Sequence, residues 1–548
     1  MKKSKIIYQL LAIITILLSG NLSIKAKSAQ LYSFGGKQGD TSIKSTSTGK
    51  NGVIFISGTT ESQDDLPKQV TPKILIKSNG PTTYIAAFSK DLNDILSLSV
   101  LPEEIITPQK ILVSRSGDVY LGGKTTNPSA IENLSDFISE KKGGQWNGNA
   151  VIIKLKNDLK AIEWIIKAGP NMENISDMAE TKDGILYTGG TSVKGAAMYV
   201  LKVNEKGKNI EFLKGKKTDK GYEKSWAIYL NEGNTELKEK YYSFYRKGGK
   251  DGFDYDGTTG KYGLVKFWDI SPRVGGQIVV LPDNDFIVSA GVYFKFKEGN
   301  NKSFPAFNLL LARFSNEGEL RWATNLYQEG DSVHIPDEKP RAMTYDGKTD
   351  SIFIVASQHG SNVYRLKGKL LGDTGNMLIS WVGKVDAKNG ALKDGWFFMN
   401  NRHPDENGKG GYNEDGTPRP APHPKLAGNS LNSIVVGDDG NVYIAGKAAA
   451  RAWTSKDAFE KWPENKAGGG LPCLLILNND LTKYIFASVF GAEENADGEF
   501  SSFILENNKI YLFGSLKGKD TKITKDKKWS EYEISDFSKA FIVQVNKQ

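Results

Sequence analysis

VVGDDGNVYIAG, residues 435–446, reads as a hairpin: a β-branched strand, an Asp/Gly/Asn turn, a second apolar strand and a small-residue end. The same order recurs in TSTGKNGVIFISG (46–58), LVSRSGDVYLGG (112–123), AETKDGILYTGG (179–190), VVLPDNDFIVSA (279–290), MTYDGKTDSIFIVAS (343–357) and LENNKIYLFG (505–514). That makes seven copies, spaced by about 76 residues on average between Gly58 and Gly514. A unit this small cannot bury its apolar face alone, so the copies must pack on one another.

A second apolar run follows each copy: YIAAFSKDL (84–92), VIIKLKNDL (151–159), MYVLKVNEKG (198–207), FNLLLARFSNEGE (307–319), ISWVGKVDAKNG (379–390), CLLILNNDL (473–481) and FIVQVN (541–546). A fourth run follows in ILSLSV (95–100), IEWIIKAG (162–169), LRWATNL (320–326) and YIFASVFG (484–491). Each repeat is therefore four short antiparallel strands. The last repeat ends at Gln548 after its third strand, and QLYSFGG (30–36) supplies the missing fourth. The terminal arithmetic predicts an all-β, seven-bladed β-propeller with four-stranded blades, its N-terminal strand closing the last blade. A linear β-solenoid is the alternative, and it leaves the displaced strand unexplained.

GDDGNVYIAGKA (437–448) and KAFIVQVN (539–546) are similar to the two halves of the unit found in bacterial seven-bladed β-propeller repeat proteins. The resemblance spans residues 30–548 and implies the fold. It implies no single function, because such propellers serve many roles. Insertions interrupt the fourth strand in blades 3 and 5.

The chain has 548 residues, 39% of them hydrophobic and 25% charged, which excludes a predominantly disordered chain. Met1–Ser28 reads as a signal peptide: three lysines, an apolar run from Ile6 to Leu18, and small residues suited to cleavage before Ala29. Thirteen helical residues rise about 20 Å, short of a hydrocarbon core of about 30 Å. An uncleaved anchor is the alternative. No transmembrane segment is expected after signal removal, and the protein is expected to be secreted, periplasmic or on the cell surface. The net charge of +9 falls to +4 without residues 1–28, leaving 67 basic against 63 acidic residues. That balance gives no support to nucleic-acid binding. The single Cys473 lies in LPCLLIL and is expected to be a packing residue.

The domain boundaries expected are 1–28 for the signal and 29–548 for one propeller, with insertions at about 208–275 and 400–429. Turns after the first and third strands are short. Long loops follow the second and fourth strands, at 59–83, 124–149, 291–306, 327–340, 400–429, 447–470 and 515–539, and share one face. Long loops on one face suggest a recognition surface for a protein or a glycan; insertions drifting onto a tolerant face are the alternative.

Candidate ligand-binding residues on this face are Arg273, His334 and Arg341 near inner strands, His423 in a proline-rich loop, and Trp226, Trp268 and Trp453. Twelve aromatics from Tyr222 to Trp268, interleaved with lysines, serve either to pack a subdomain or to stack on sugars. Asp251, Asp254 and Asp256 in DGFDYDGTTG (251–260) are candidate ligands for a structural Ca²⁺, although the terminal glutamate of an EF-hand loop is missing. His403 and His423 match no compact metal motif. No other cofactor is expected. There is no G-x-S-x-G, H-E-x-x-H, Walker loop or C-x-x-C-H. Three classes remain: a binding propeller, an extracellular polysaccharide hydrolase or lyase with acids in the funnel, and a structural surface component.

Overall fold

The computed structural model describes residues 28–548 except 78–79, 135–147, 169–171, 190–198, 204–209, 213–262, 271–275, 299–301, 317–319, 326–336, 360–362, 367–368, 374–378, 399–416, 418–428, 450–451, 464–465, 467–468, 507, 519–523, 525, 531–535 and 548. Seven small, mostly antiparallel sheets form a ring. Their innermost strands are Thr41–Thr48, Thr107–Val113, Asp177–Thr181, Gln277–Val280, Asp337–Asp346, Ser430–Val436 and Asp497–Glu506. Each packs against the next, and Asp497–Glu506 packs against Thr41–Thr48. The circle is therefore closed, and the sheets are the seven blades of a β-propeller.

Blade 6 shows why the strands form. Ser430–Val436, Val442–Ala449, Gly470–Leu477 and Tyr484–Val489 pair in sequence order. Every residue of GLPCLLIL (470–477) is buried, as is every residue of TTYIAAF (82–88) in blade 1. Middle strands lie between two neighbouring sheets, so they lose the in/out alternation of a one-sided sheet and read as continuous apolar runs. Phe353 and Val355 of blade 5, Ile444 and Leu475 of blade 6, and Leu512 and Val543 of blade 7 share one core. Cys473 is 1% exposed in it, and burial pushes its thiol well above the usual range.

Blade 7 consists of Asp497–Glu506, Lys509–Lys517, Lys539–Asn546 and the N-terminal Ser28–Phe34. The closing pair runs antiparallel from Ser28 opposite Asn546 to Phe34 opposite Ala540. The fourth strands of blades 3 and 5, hidden from the sequence reading, are Ile210–Phe212 and Leu392–Phe398.

Two expectations about the loops are corrected. Residues 291–306 are not a loop: Phe286–Glu298 and Lys302–Phe314 pair along their whole length, with Gly263–Ile270 added beside them. The connections after second strands also do not all crowd one recognition surface, because several fold over the exposed edge of their own blade's fourth strand. In blade 1, Lys73–Ile74 pairs with Ser99 and Val100. In blade 2, the helix Pro128–Glu132 buries Ile131 in the core that holds Ile165. In blade 6, Ser455 N–H donates to Ala487 O (2.9 Å) and Glu460 bridges Val489. In blade 7, Thr524 N–H donates to Leu31 O (2.7 Å), and Ser33 N–H donates to Ser530 Oγ (3.2 Å). An unpaired edge is a template for aggregation, and these segments cover it.

Candidate functional site

The innermost strand of each blade turns a free edge toward the axis of the ring. In five blades that strand carries a β-bulge at the same place. The extra residue is Lys44 in blade 1, Gln109 in blade 2, Arg341 in blade 5, Asn432 in blade 6 and Ser501 in blade 7. A bulge inserts one residue and re-aims its side chain. All five side chains are polar. They lie in the first half of their strands, toward the face from which the chain enters each blade.

The repeat motif itself imposes the bulge. The glycine ending the second strand faces the residue just before it: Gly58 opposite Ile43, Gly123 opposite Pro108, Gly446 opposite Leu431 and Gly514 opposite Phe500. A Cβ on these glycines would overlap the carbonyl oxygens of Ser42, Thr107, Ser430 and Glu499, respectively. The close backbone approach requires glycine. Blade 3 repeats it, with Gly189 against Asn174 O and Ser176 N–H donating to Thr188 O at 2.8 Å. Pro108 and Pro340 stand at matching positions, where a missing N–H is tolerated.

Polar side chains stitch the inner strands together. Asn432 Nδ2 donates to Phe500 O (3.0 Å) and to Glu499 Oε2 (3.2 Å), while Ser501 Oγ donates to Ile43 O (2.7 Å). Ile111 N–H donates to Ser45 Oγ (3.1 Å). Asp177 accepts from Ile278 N–H (2.9 Å) and pairs with Lys110 (2.7 Å). Gln109 Oε1 and Ser176 Oγ are buried without a hydrogen-bond partner among the described residues.

Arg341, a candidate from sequence, sits in this ring. Its side chain is exposed, and its Nε donates to Ser357 Oγ at 3.1 Å. Desolvation by the surrounding protein nevertheless pulls its pKa down, opposed only by the charge of Glu499. Lys44, also exposed, adds a second cation from blade 1.

The remaining candidates lie elsewhere. Trp453 is half-buried and stacks on Tyr484, with ring centroids 5.4 Å apart and planes 18° apart; Trp462 is buried in the same core. Trp268 lies on the strand Gly263–Ile270. Arg273, His334, His423, Trp226, Asp251, Asp254 and Asp256 lie outside the described residues, as do His403 and Met1–Lys27. Among the described residues no group of three His, Cys, Asp or Glu is placed to hold a metal, and no helix is long and apolar enough to cross a membrane. The sequence reading missed Lys44, Gln109, Asn432, Ser501 and Glu499. The signal was available in the repeat: a glycine closing the second strand marks a bulge in the first.

No family model matches the chain, and no curated protein matches it. Among solved structures it is similar to an ulvan lyase of a new polysaccharide lyase family, at 10% identity and a TM-score of 0.45 over 93% of this chain and 96% of that one. It is similar to a catalytically inactive virginiamycin B lyase from Staphylococcus aureus with quinupristin, at 10% identity and 0.39 over 95% and 99%. It is likewise similar to the WD40 β-propeller domain of Doa1, at 9% identity and 0.35 over 94% and 96%. At such identity and superposition the likeness concerns the fold and carries no argument about activity.

Proposed function

We propose that the protein is an exported binding propeller that recognises a glycan or a protein partner at the long-loop mouth of its central channel. One observation carries this reading: the inner strands of five blades bulge at the same place, in four of them opposite a repeat glycine, and every bulged residue is polar. The blade cores and the closing strand already hold the circle shut, and the exposed Lys44 and Arg341 take no part in the bonds that stitch the inner strands. The ring supplies two cations, an amide pair and a hydroxyl on a rigid frame, which suits recognition of a polar ligand. Export rests on the composition of Met1–Ser28.

The test is a glycan array and an affinity capture with the mature chain, repeated with Asn432→Ala and Lys44→Ala combined. The reading expects a ligand whose retention drops in the double variant while circular dichroism shows that the variant stays folded. Undiminished retention rejects the channel mouth as the site. N-terminal sequencing of protein from fractionated cells tests export, and an intact Met1 on cytoplasmic protein rejects it.

A further inference from the structure

Several cations of the propeller are ion-paired. Lys154 is paired with Asp118 (3.1 Å) and Glu163 (3.0 Å), Lys202 with Asp183 (3.0 Å), and Arg313 with Asp285 (3.0 Å). The Arg341 guanidinium has no ion pair among the described residues, and its Nε is already committed to Ser357 Oγ at 3.1 Å. That bond orients the guanidinium plane and leaves the two terminal nitrogens as a fork of donors. The group stays charged at any physiological pH. A water-accessible fork with no ion pair among the described residues is the arrangement that grips a carboxylate or sulfate through two parallel hydrogen bonds.

The neighbours narrow the ligand. Glu499 contributes a negative charge close enough to act on Arg341, and its Oε2 accepts from Asn432 Nδ2 at 3.2 Å. A small free anion is repelled by that carboxylate. A ligand that carries its charge on one group and hydroxyl donors on the next satisfies both. We propose that the channel mouth binds an acidic saccharide, with Arg341 holding its carboxylate or sulfate and Glu499 accepting from its hydroxyls. This rests on the binding reading above and deepens it.

The experiment is calorimetry of the mature full chain with three probes: oligogalacturonate, its methyl ester, and a sulfated oligosaccharide. Expected is binding of one or both anionic probes, strongest at low salt. If the carboxylate is the group held, methyl esterification weakens binding by about 10- to 100-fold. A preference for the sulfated probe identifies sulfate instead. Arg341→Ala gives a similar loss, and Arg341→Lys recovers little of it, because an ammonium lacks the planar fork. Arg341 is exposed, so Arg341→Gln, which keeps most of the side-chain volume, is expected to melt like the wild type.

Equal binding of the acid and its ester with no preference for sulfate overturns the proposal, as does unchanged affinity in Arg341→Ala. If the anionic probes fail while a neutral glycan or a protein is retained and then lost in the Asn432→Ala and Lys44→Ala variant, the acidic-saccharide proposal falls and the channel-mouth reading stands. If no ligand of any class responds to these substitutions, both fall.

Discussion

The carbonyl oxygen of Glu499 occupies the space that a Cβ on Gly514 would need. Gly514 is the last residue of a repeat copy, and Glu499 lies two residues before the bulge at Ser501. A residue that looks like punctuation in the sequence therefore sets the backbone path at the channel mouth. Gly514→Ala is expected to destabilise the protein by about 1–3 kcal/mol, the usual cost of overpacking a filled site. Gly80→Ala, where nothing among the described residues lies within 4 Å, is the control and should leave the melting temperature in place. Equal behaviour of the two variants would remove the steric account of the repeat glycine.

Trp529 locks the closure of the ring. Its ring packs on Phe88 (5.1 Å), Tyr32 (5.5 Å) and Phe34 (6.5 Å), and its Nε1 donates to Leu92 O at 2.7 Å. Trp529→Ala should cost about 3–5 kcal/mol. It should also loosen the segment that covers Ser28–Phe34 and promote self-association through the uncovered edge. Chemical denaturation with light scattering checks both effects. A variant that stays monomeric and loses no stability contradicts the locking role.

Asp65 anchors the turn that leads out of the closing strand. Its buried carboxylate accepts from the backbone N–H groups of Lys37 (3.1 Å), Gln38 (3.1 Å) and Gly39 (3.2 Å). Asp65→Ala leaves these donors without their acceptor, with an expected loss of about 3 kcal/mol, in the range for hydrogen bonds to a charged group. Hydrogen exchange of amides 37–39 should accelerate in the variant, and unaltered protection there would refute the anchor.

Stability is expected to fall in acid. Burial alone pushes the carboxyls of Asp183, Asp346 and Asp439 up. Hydrogen bonds from Lys202 and Thr181, from Thr349 and Lys348 N–H, and from Tyr443 and Asn441 N–H outweigh it and hold them below the usual range. A depressed folded pKa contributes stability that is complete above the unfolded value, about 3.9, and disappears as pH drops through the folded value. The melting temperature should therefore hold down to about pH 5 and decline below about pH 4. Asp439→Asn should flatten part of that decline, and a wild-type profile level down to pH 2 would contradict the assignment.

The blade count, the inner hairpins and the displaced closing strand were all legible in the sequence, because each rests on local rules: strand periodicity, turn residues and a count at the two ends. Arg341 could be singled out as a cation near an inner strand for the same reason. The roles of the long connections could not. Whether Pro128–Glu132 reaches for a ligand or packs Ile131 into the core that holds Ile165 depends on a neighbouring strand with a free edge, and no local signal reports that. The turns KDLND (90–94), NDLK (157–160) and NNDLT (478–482) looked like ordinary polar turns. Their leucines, Leu92, Leu159 and Leu481, adopt φ of 60°, 63° and 51° and are buried. Left-handed backbone is costly for a leucine, and burial against the adjoining strands offsets it. Local chemistry determined which segments become strands and how many sheets they build. Only packing in three dimensions decided which carbonyl presses on which glycine, and so where the inner strands of four blades bulge.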